Sequence, residues 1–250
     1  MLIAGLDLAA EPKGTALAVI DWAIGSAALA DLQLGVTDSQ ILAGLETYEK
    51  LGIDCALGWP IEFVNFMNRN LAVADGLADQ AFDGGIEMRR RLAYRETDRH
   101  VRAVTGRWPL SVSTDRLAMT AIRCAGLLSQ MQVAQVAVDR AGTGRVVEIY
   151  PGASLRLWGF STAGYRASEQ IRSGLVRELK VKAPWLDLAE FEGLMVESCD
   201  AFDSVIAALA ARSAHLGFFE GPSQSQLEQA RREGWVALPN SELNELIGQR

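Results

Sequence analysis

Five carboxylates stand where carboxylates are costly. Asp7 lies in Ile3-Ala4-Gly5-Leu6-Asp7-Leu8, Asp54 in Gly52-Ile53-Asp54-Cys55-Ala56-Leu57, and Glu148 in Val146-Val147-Glu148-Ile149-Tyr150. Asp200 and Asp203 open the most apolar helical stretch of the chain, in Cys199-Asp200-Ala201-Phe202-Asp203. A carboxylate in apolar surroundings must be paired, protonated or bound to a metal. A spacing of three puts Asp200 and Asp203 on one helical face, about one turn apart. Strand-borne Asp7, Asp54 and Glu148 would meet them if the strands are neighbours and the helix packs across their ends. Such a cluster repels itself without cations, and Mg²⁺ or Mn²⁺ prefer oxygen ligands. Two such ions about 3.5–4 Å apart activate water and stabilise the leaving oxygen in phosphodiester cleavage. The joint pattern predicts Asp7, Asp54, Glu148 and Asp203 as catalytic residues. Asp7, Asp54, Asp200 and Asp203 are the expected ligands of Mg²⁺ or Mn²⁺, with the choice between Asp200 and Asp203 open.

Each acid also has a plainer explanation. Asp200 is well placed as a helix N-cap, and Asp203 would then favour the positive helix end. Asp54 can end a strand in a turn, and Glu148 can pair with a buried arginine. Asp7 resists such an account, because an aspartate between leucines in a strand needs a partner.

The second chemical signal is arginine density. Arg89, Arg90, Arg91, Arg95, Arg99, Arg102 and Arg107 place seven arginines within 19 residues, with no lysine among them. The planar guanidinium suits bidentate contacts with phosphate. Arg91, Arg95 and Arg99 are the expected substrate contacts, and the Arg89–Arg107 patch is where nucleic acid would bind. Glu96 and Asp98 offer the alternative of a solvated, salt-bridged surface. Histidines 100 and 215 and cysteines 55, 124 and 199 are too few and scattered for a zinc site or disulfide framework. Ser-His-Asp, Cys-His, Walker and dinucleotide glycine motifs are absent.

These residues need elements to position them. The 250 residues are 49% hydrophobic and 22% charged, with a formal net charge of −7. That balance suits a globular domain and argues against general attraction to polyanions. No long uncharged apolar run exists to span a membrane, and MLIAGLDLAA lacks a signal-peptide pattern, so a reduced cytoplasmic protein is expected. Leu2–Leu8, Thr15–Trp22 and Ala27–Leu34 read as three antiparallel strands. Asp38 can cap a helix carrying Ile41, Leu42, Leu45 and Tyr48, and Ile53–Leu57 reads as a fourth strand. An amphipathic helix is expected from Thr114, a fifth strand over Val146–Tyr150, and helices around Ile171–Leu179, Asp200–Leu216 and Ser225–Glu233. The expected architecture is one α/β domain over 1–250, a five-stranded mixed sheet flanked by helices. A helical, Arg-rich insertion lies at about 60–113 and a C-terminal extension at about 217–250.

With these pieces in order, the chain resembles domain-of-unknown-function family 429. The matching stretches are Gly5-Leu6-Asp7-Leu8-Ala9, Gly52-Ile53-Asp54 with Leu57-Gly58-Trp59-Pro60, and Tyr94-Arg95-Glu96-Thr97-Asp98-Arg99. Val147-Glu148-Ile149-Tyr150-Pro151 and Asp200-Ala201-Phe202-Asp203 complete the set. Members of the family are predicted nucleases of the ribonuclease-H-like fold, so the resemblance implies three antiparallel strands followed by two parallel ones. It also implies metal-binding acids on the first strand, the fourth strand and the last core helix, the places of Asp7, Asp54 and Asp203 or Asp200. Glu148 is an added family feature, and Arg95 and Asp98 belong to an Arg-x-x-Asp stretch. Where many members have Ala-Pro after the second aspartate, this chain has Cys55-Ala56. The expected function is metal-dependent hydrolysis of nucleic acid. Two alternatives are a phosphate- or nucleotide-binding protein of a related fold and a non-catalytic scaffold that kept the core.

Overall fold

A computed structural model describes residues 1–76 and 84–248. Residues 77–83 of the predicted insertion and the last two residues of the predicted extension lie outside the described residues. The elements in chain order are β1 (Leu2–Asp7), β2 (Ala16–Ala23), β3 (Ser26–Leu34), α1 (Asp38–Gly44), β4 (Lys50–Asp54), α2 (Ile61–Ala74), α3 (Ile86–Ala93) and α4 (Glu96–Thr105). They continue with α5 (Ala118–Val133), β5 (Val146–Glu148), α6 (Pro151–Leu157), α7 (Glu169–Lys182), β6 (Leu186–Asp187), α8 (Glu192–Glu197), α9 (Cys199–His215) and α10 (Leu227–Glu233).

The strands form one mixed sheet of order β5-β4-β1-β2-β3-β6. β1, β2 and β3 are antiparallel neighbours, whereas β4 runs parallel to β1 and β5 parallel to β4. The expected five strands are therefore six. The added β6 is two residues long and lies parallel to β3; so short a strand carries no alternating pattern to read. The fourth strand starts and ends three residues earlier than expected, because Lys50 and Leu51 join the ladder and Asp54 closes it.

Helices cover both faces. On one side, Cys124, Leu127, Leu128 and Met131 of α5 pack with Ile41 of α1 against Ala4, Leu6, Leu51 and Ile53. On the other, α9 lies across β1, β2 and β4, and Ala201–Ala214 is buried throughout. Its alanines and the facing glycines allow backbone-to-backbone approach. A Cβ on Gly5 would stand 2.1 Å from Ala208 N and 2.2 Å from the Ser204 carbonyl oxygen. Gly52, the register partner of Gly5, would place a Cβ 2.9 Å from the Ala207 carbonyl oxygen. The N-cap of α9 is Ser198, whose hydroxyl accepts the Ala201 N–H, and not Asp200. Asp200 is thereby free of the capping role.

The C-terminal segment closes the sheet beside β5. Val236 makes a parallel bridge to Glu148 and donates its N–H to Thr97 Oγ1 at 2.8 Å. Glu233, the last residue of α10, is fully buried and forks between two helix starts. Its Oε1 accepts the Ile61 N–H at 2.7 Å and its Oε2 the Glu96 N–H at 3.0 Å. Helix N-termini carry unsatisfied donors and partial positive charge, which is why a buried carboxylate without a cation is stable there. Glu233→Ala is expected to lower stability by about 2–3 kcal/mol in a denaturant titration, since three charge-assisted hydrogen bonds, two from backbone N–H groups and one from Gln229 Nε2 at 3.1 Å, vanish together. Among the described residues, no helix is long and apolar enough to cross a membrane.

Candidate active site

Asp7 and Asp54 end two adjacent parallel strands and are direct register partners. In-register residues on parallel neighbours project from the same face, so the two carboxylates stand side by side. They lie on the α9 face, as do Gly5 and Gly52 two residues earlier. The close seat of α9 on those glycines brings Asp203, one residue before Ser204, to the same strand ends. Asp7, Asp54, Asp200 and Asp203 all line one cleft of about 370 Å³.

The electrostatics reflect this crowding. Burial, then the charges of Asp54, Asp203 and Asp200, push the Asp7 carboxyl well above the usual carboxylate range. Burial and the charge of Asp203 push Asp54 up to about 8, with Arg166 opposing. Asp203 is raised to about 6 by burial, held back by Arg166 and by hydrogen bonds from Tyr165 and Cys199. Asp200, nearer solvent, is raised by burial against the pull of Arg166 and Arg172. Each shift has the sign expected of carboxyls taken out of water beside like charges.

Two residues the sequence reading passed over complete this corner. Tyr165 donates its hydroxyl proton to Asp203 Oδ1 at 2.9 Å. Arg166 donates from Nε to the Tyr165 oxygen at 3.3 Å, and its Nη2 lies 3.4 Å from Asp203 Oδ2. Arg166 is 54% exposed, so a cation sits at the cleft with room to move. Nothing in the loop between α6 and α7 marks these residues; only its return across the end of α9 does.

Glu148 lines the same cleft as the four aspartates and its charge adds to the rise of Asp54, but its carboxylate is already held by protein donors. It is the register partner of Ile53, one residue before Asp54, and strand alternation turns it to the α5 face. There it meets Arg95. Arg95 Nη2 lies 2.7 Å from Glu148 Oε1 and Nη1 lies 2.9 Å from Oε2, while the Leu57 N–H donates to Oε2 at 3.0 Å. The other guanidinium donors reach Asp98 Oδ1 and Oδ2 and the Glu233 carbonyl oxygen. All five Arg95 N–H groups are thus held by protein acceptors. The expected Arg95 contact to substrate has no donor left to make it, and the buried triad of Arg95, Asp98 and Glu148 braces the loop after β4 instead.

Arg91 and Arg99 fall elsewhere again. They line a second cleft with Glu87, Arg90, Tyr94 and Trp108, on the far side of the wall formed by 94–99 and 108–109. Arg99 is paired with Glu96 and Arg90 with Glu87, both in partly or fully exposed i,i+3 bridges.

Among the described residues, no group of three or more His, Cys, Asp or Glu side chains stands ready to hold a metal ion. The donor chemistry nevertheless suits a hard divalent cation: oxygen ligands on rigid strand and helix ends, with charge left in excess. Tyr165, Cys199 and Arg166 presently hold the oxygens of Asp203.

A protein-family model matches residues 5–224, and its description is protein of unknown function (DUF429). No curated protein and no solved structure matches the chain.

Proposed function

Because the chain belongs to the DUF429 family, whose description assigns no activity, we propose from the site itself that this is a divalent-metal-dependent hydrolase of nucleic-acid phosphodiester bonds, on a ribonuclease-H-like fold. The observation that carries it is the register pairing of Asp7 with Asp54 under an α9 seated close enough to bring Asp203 to them. The strand order β5-β4-β1-β2-β3, with β2 alone reversed between its neighbours, supports the fold assignment.

In this reading Asp7, Asp54 and Asp203 would hold Mg²⁺ or Mn²⁺, with Asp200 at the more exposed side of the cleft. The cation, when bound, would neutralise phosphate charge and lower the pKa of an attacking water. Asp7 and Asp54 supply fixed ligands because each ends a hydrogen-bonded strand. Tyr165 orients Asp203 through the 2.9 Å hydrogen bond. Arg166, 3.4 Å from Asp203 Oδ2 and half exposed, would be free to bind a phosphate oxygen were a cation to hold Asp203, the contact for which its forked donors are suited. Glu148 acts through Arg95 and the Leu57 N–H as a positioning residue for the loop after Asp54.

The scaffold alternative has one observation in its favour: Arg166 already supplies part of the charge that a cation would. Labelled oligonucleotides incubated with the protein in Mn²⁺ separate the two. Cleavage is expected with Mn²⁺, absent in EDTA, and lost in Asp203→Asn with the fold retained by circular dichroism. Equal cleavage by wild type and Asp203→Asn rejects the assignment, and so does a chain that neither cleaves nor binds Mn²⁺ by calorimetry.

A further inference from the structure

The second cleft carries a feature that an ionic surface does not need. Tyr94 and Trp108 stack with ring centroids 4.2 Å apart and planes inclined by 25°. Trp108 nevertheless keeps 44% of its surface in solvent. A stacked pair with one ring half in solvent offers an aromatic face to a planar ligand. Around the pair stand Arg90, Arg91 and Arg99, with Glu87 the one acid among the described residues that line the cleft. Arg91, Arg89, Arg102 and Arg107 are exposed and make no ion pair among the described residues. In a chain of net charge −7, this is a local cationic surface built around an aromatic platform.

The two clefts share a wall. Residues alternate along it: Arg95, Asp98 and Pro109 line the acid cleft, while their neighbours Tyr94, Arg99 and Trp108 line the aromatic one. A strand whose phosphate sits over the aspartates and which crosses this wall comes to the platform on its other side. Bases in a duplex are already stacked and paired, and cannot present a face to a side chain. Unpaired bases can, and base–aromatic stacking is tolerant of sequence because each base has a π face.

We propose that Tyr94 and Trp108 form a stacking platform for unpaired bases, flanked by Arg91 and Arg99 on the phosphates, and that the nucleic acid this site takes is single-stranded. The inference rests on the hydrolase reading for the placement of the reacting phosphate; the platform itself is tested by binding alone.

The test is fluorescence anisotropy of a labelled oligonucleotide of about a dozen nucleotides, single-stranded or annealed to its complement, in EDTA so that no metal-dependent cleavage intervenes. The single strand is expected to bind at least tenfold more tightly than the duplex. Trp108→Ala is expected to weaken single-strand binding about tenfold or more, the scale of one lost stack, with duplex binding unchanged. Trp108→Phe should recover most of the loss, and Arg91→Ala should weaken binding and flatten its salt dependence. Tryptophan fluorescence of the wild type should fall on binding and fall less in Trp108→Phe. Equal affinity for duplex, no binding, or an unaffected Trp108→Ala overturns the proposal. Single-strand binding through Trp108 in a protein that never cleaves leaves the platform standing and rejects the hydrolase reading instead.

Discussion

Gly5→Ala is expected to cost about 3 kcal/mol or more of folding stability, and to remove any activity of the acid cleft with it. The added methyl would fall 2.1 Å from Ala208 N and 2.2 Å from the Ser204 carbonyl oxygen. Both are backbone atoms of a buried helix and cannot swing aside. Overpacking a rigid core typically costs 1–3 kcal/mol and more where no side chain can yield. Relief requires α9 to lift from the sheet, and Asp203 sits one residue from the atom in conflict. Urea unfolding of Gly5→Ala beside Gly126→Ala measures the effect. Gly126 lies in α5 with nothing near its missing Cβ, so alanine there should stabilise by about 0.5–1 kcal/mol. Wild-type stability in Gly5→Ala would show that α9 does not need this close seat.

Asp7→Asn is expected to act in opposite directions on activity and on metal-free stability. As a proposed ligand its loss should cut metal-dependent cleavage by about a hundredfold or more, the scale seen when one charge-stabilising group is removed from an active site. The same substitution removes a charge that its neighbours repel. The folded-state pKa values of this group run upward: Asp7 well above its ordinary value, Asp54 to about 8, Asp203 to about 6, against about 3.8 for a free aspartate. Between about pH 4 and pH 8 the folded chain therefore holds protons that the unfolded chain has released. Where the folded state binds more protons, stability falls as pH rises, and the fall ends above the folded pKa values. The metal-free wild type should accordingly lose Tm from pH 5 to pH 8, and Mn²⁺ should restore it most at pH 8. Asp7→Asn should show a shallower pH dependence, a higher metal-free Tm at pH 8, and a smaller shift with Mn²⁺. Thermal melts at the two pH values, with and without Mn²⁺, check all three; an Asp7→Asn protein less stable than wild type at pH 8 would show that the carboxylates do not repel.

The two substitutions probe separate links. Gly5→Ala tests how the sheet and α9 place the acids, and Asp7→Asn tests what the acids do once placed. Glu148 illustrates why placement and residue type must be kept apart. As a carboxylate inside an apolar strand it looked equivalent to Asp7 and Asp54, yet one step of strand register sends it to the other face, where Arg95 and the Leu57 N–H hold it. Arg95 likewise looked like part of a cationic surface, and its i+3 relation to Asp98 was visible. Its burial depends on the C-terminal segment, where the Glu233 carbonyl accepts one of its protons across 138 residues.

Periodicity and residue type alone carried the β1–β3 meander, a fifth strand from Val146 and a buried helix from Asp200, and marked Asp7, Asp54, Glu148, Asp200 and Asp203 as candidate acids. Apolar alternation, turn residues and carboxylates in apolar surroundings are local properties. They also carried the family, through five short stretches in order, and the parallel direction of the fourth and fifth strands came with that resemblance. The two-residue β6, the early start of β4, the Ser198 cap, the Tyr165–Arg166 loop over Asp203 and the division of the arginine stretch into a buried brace and an exposed platform belong to the folded molecule. Those features are set by register and by contacts between residues far apart in the chain: which face a strand residue takes, and which distant donor reaches it, depend on neighbours that no local window of sequence contains.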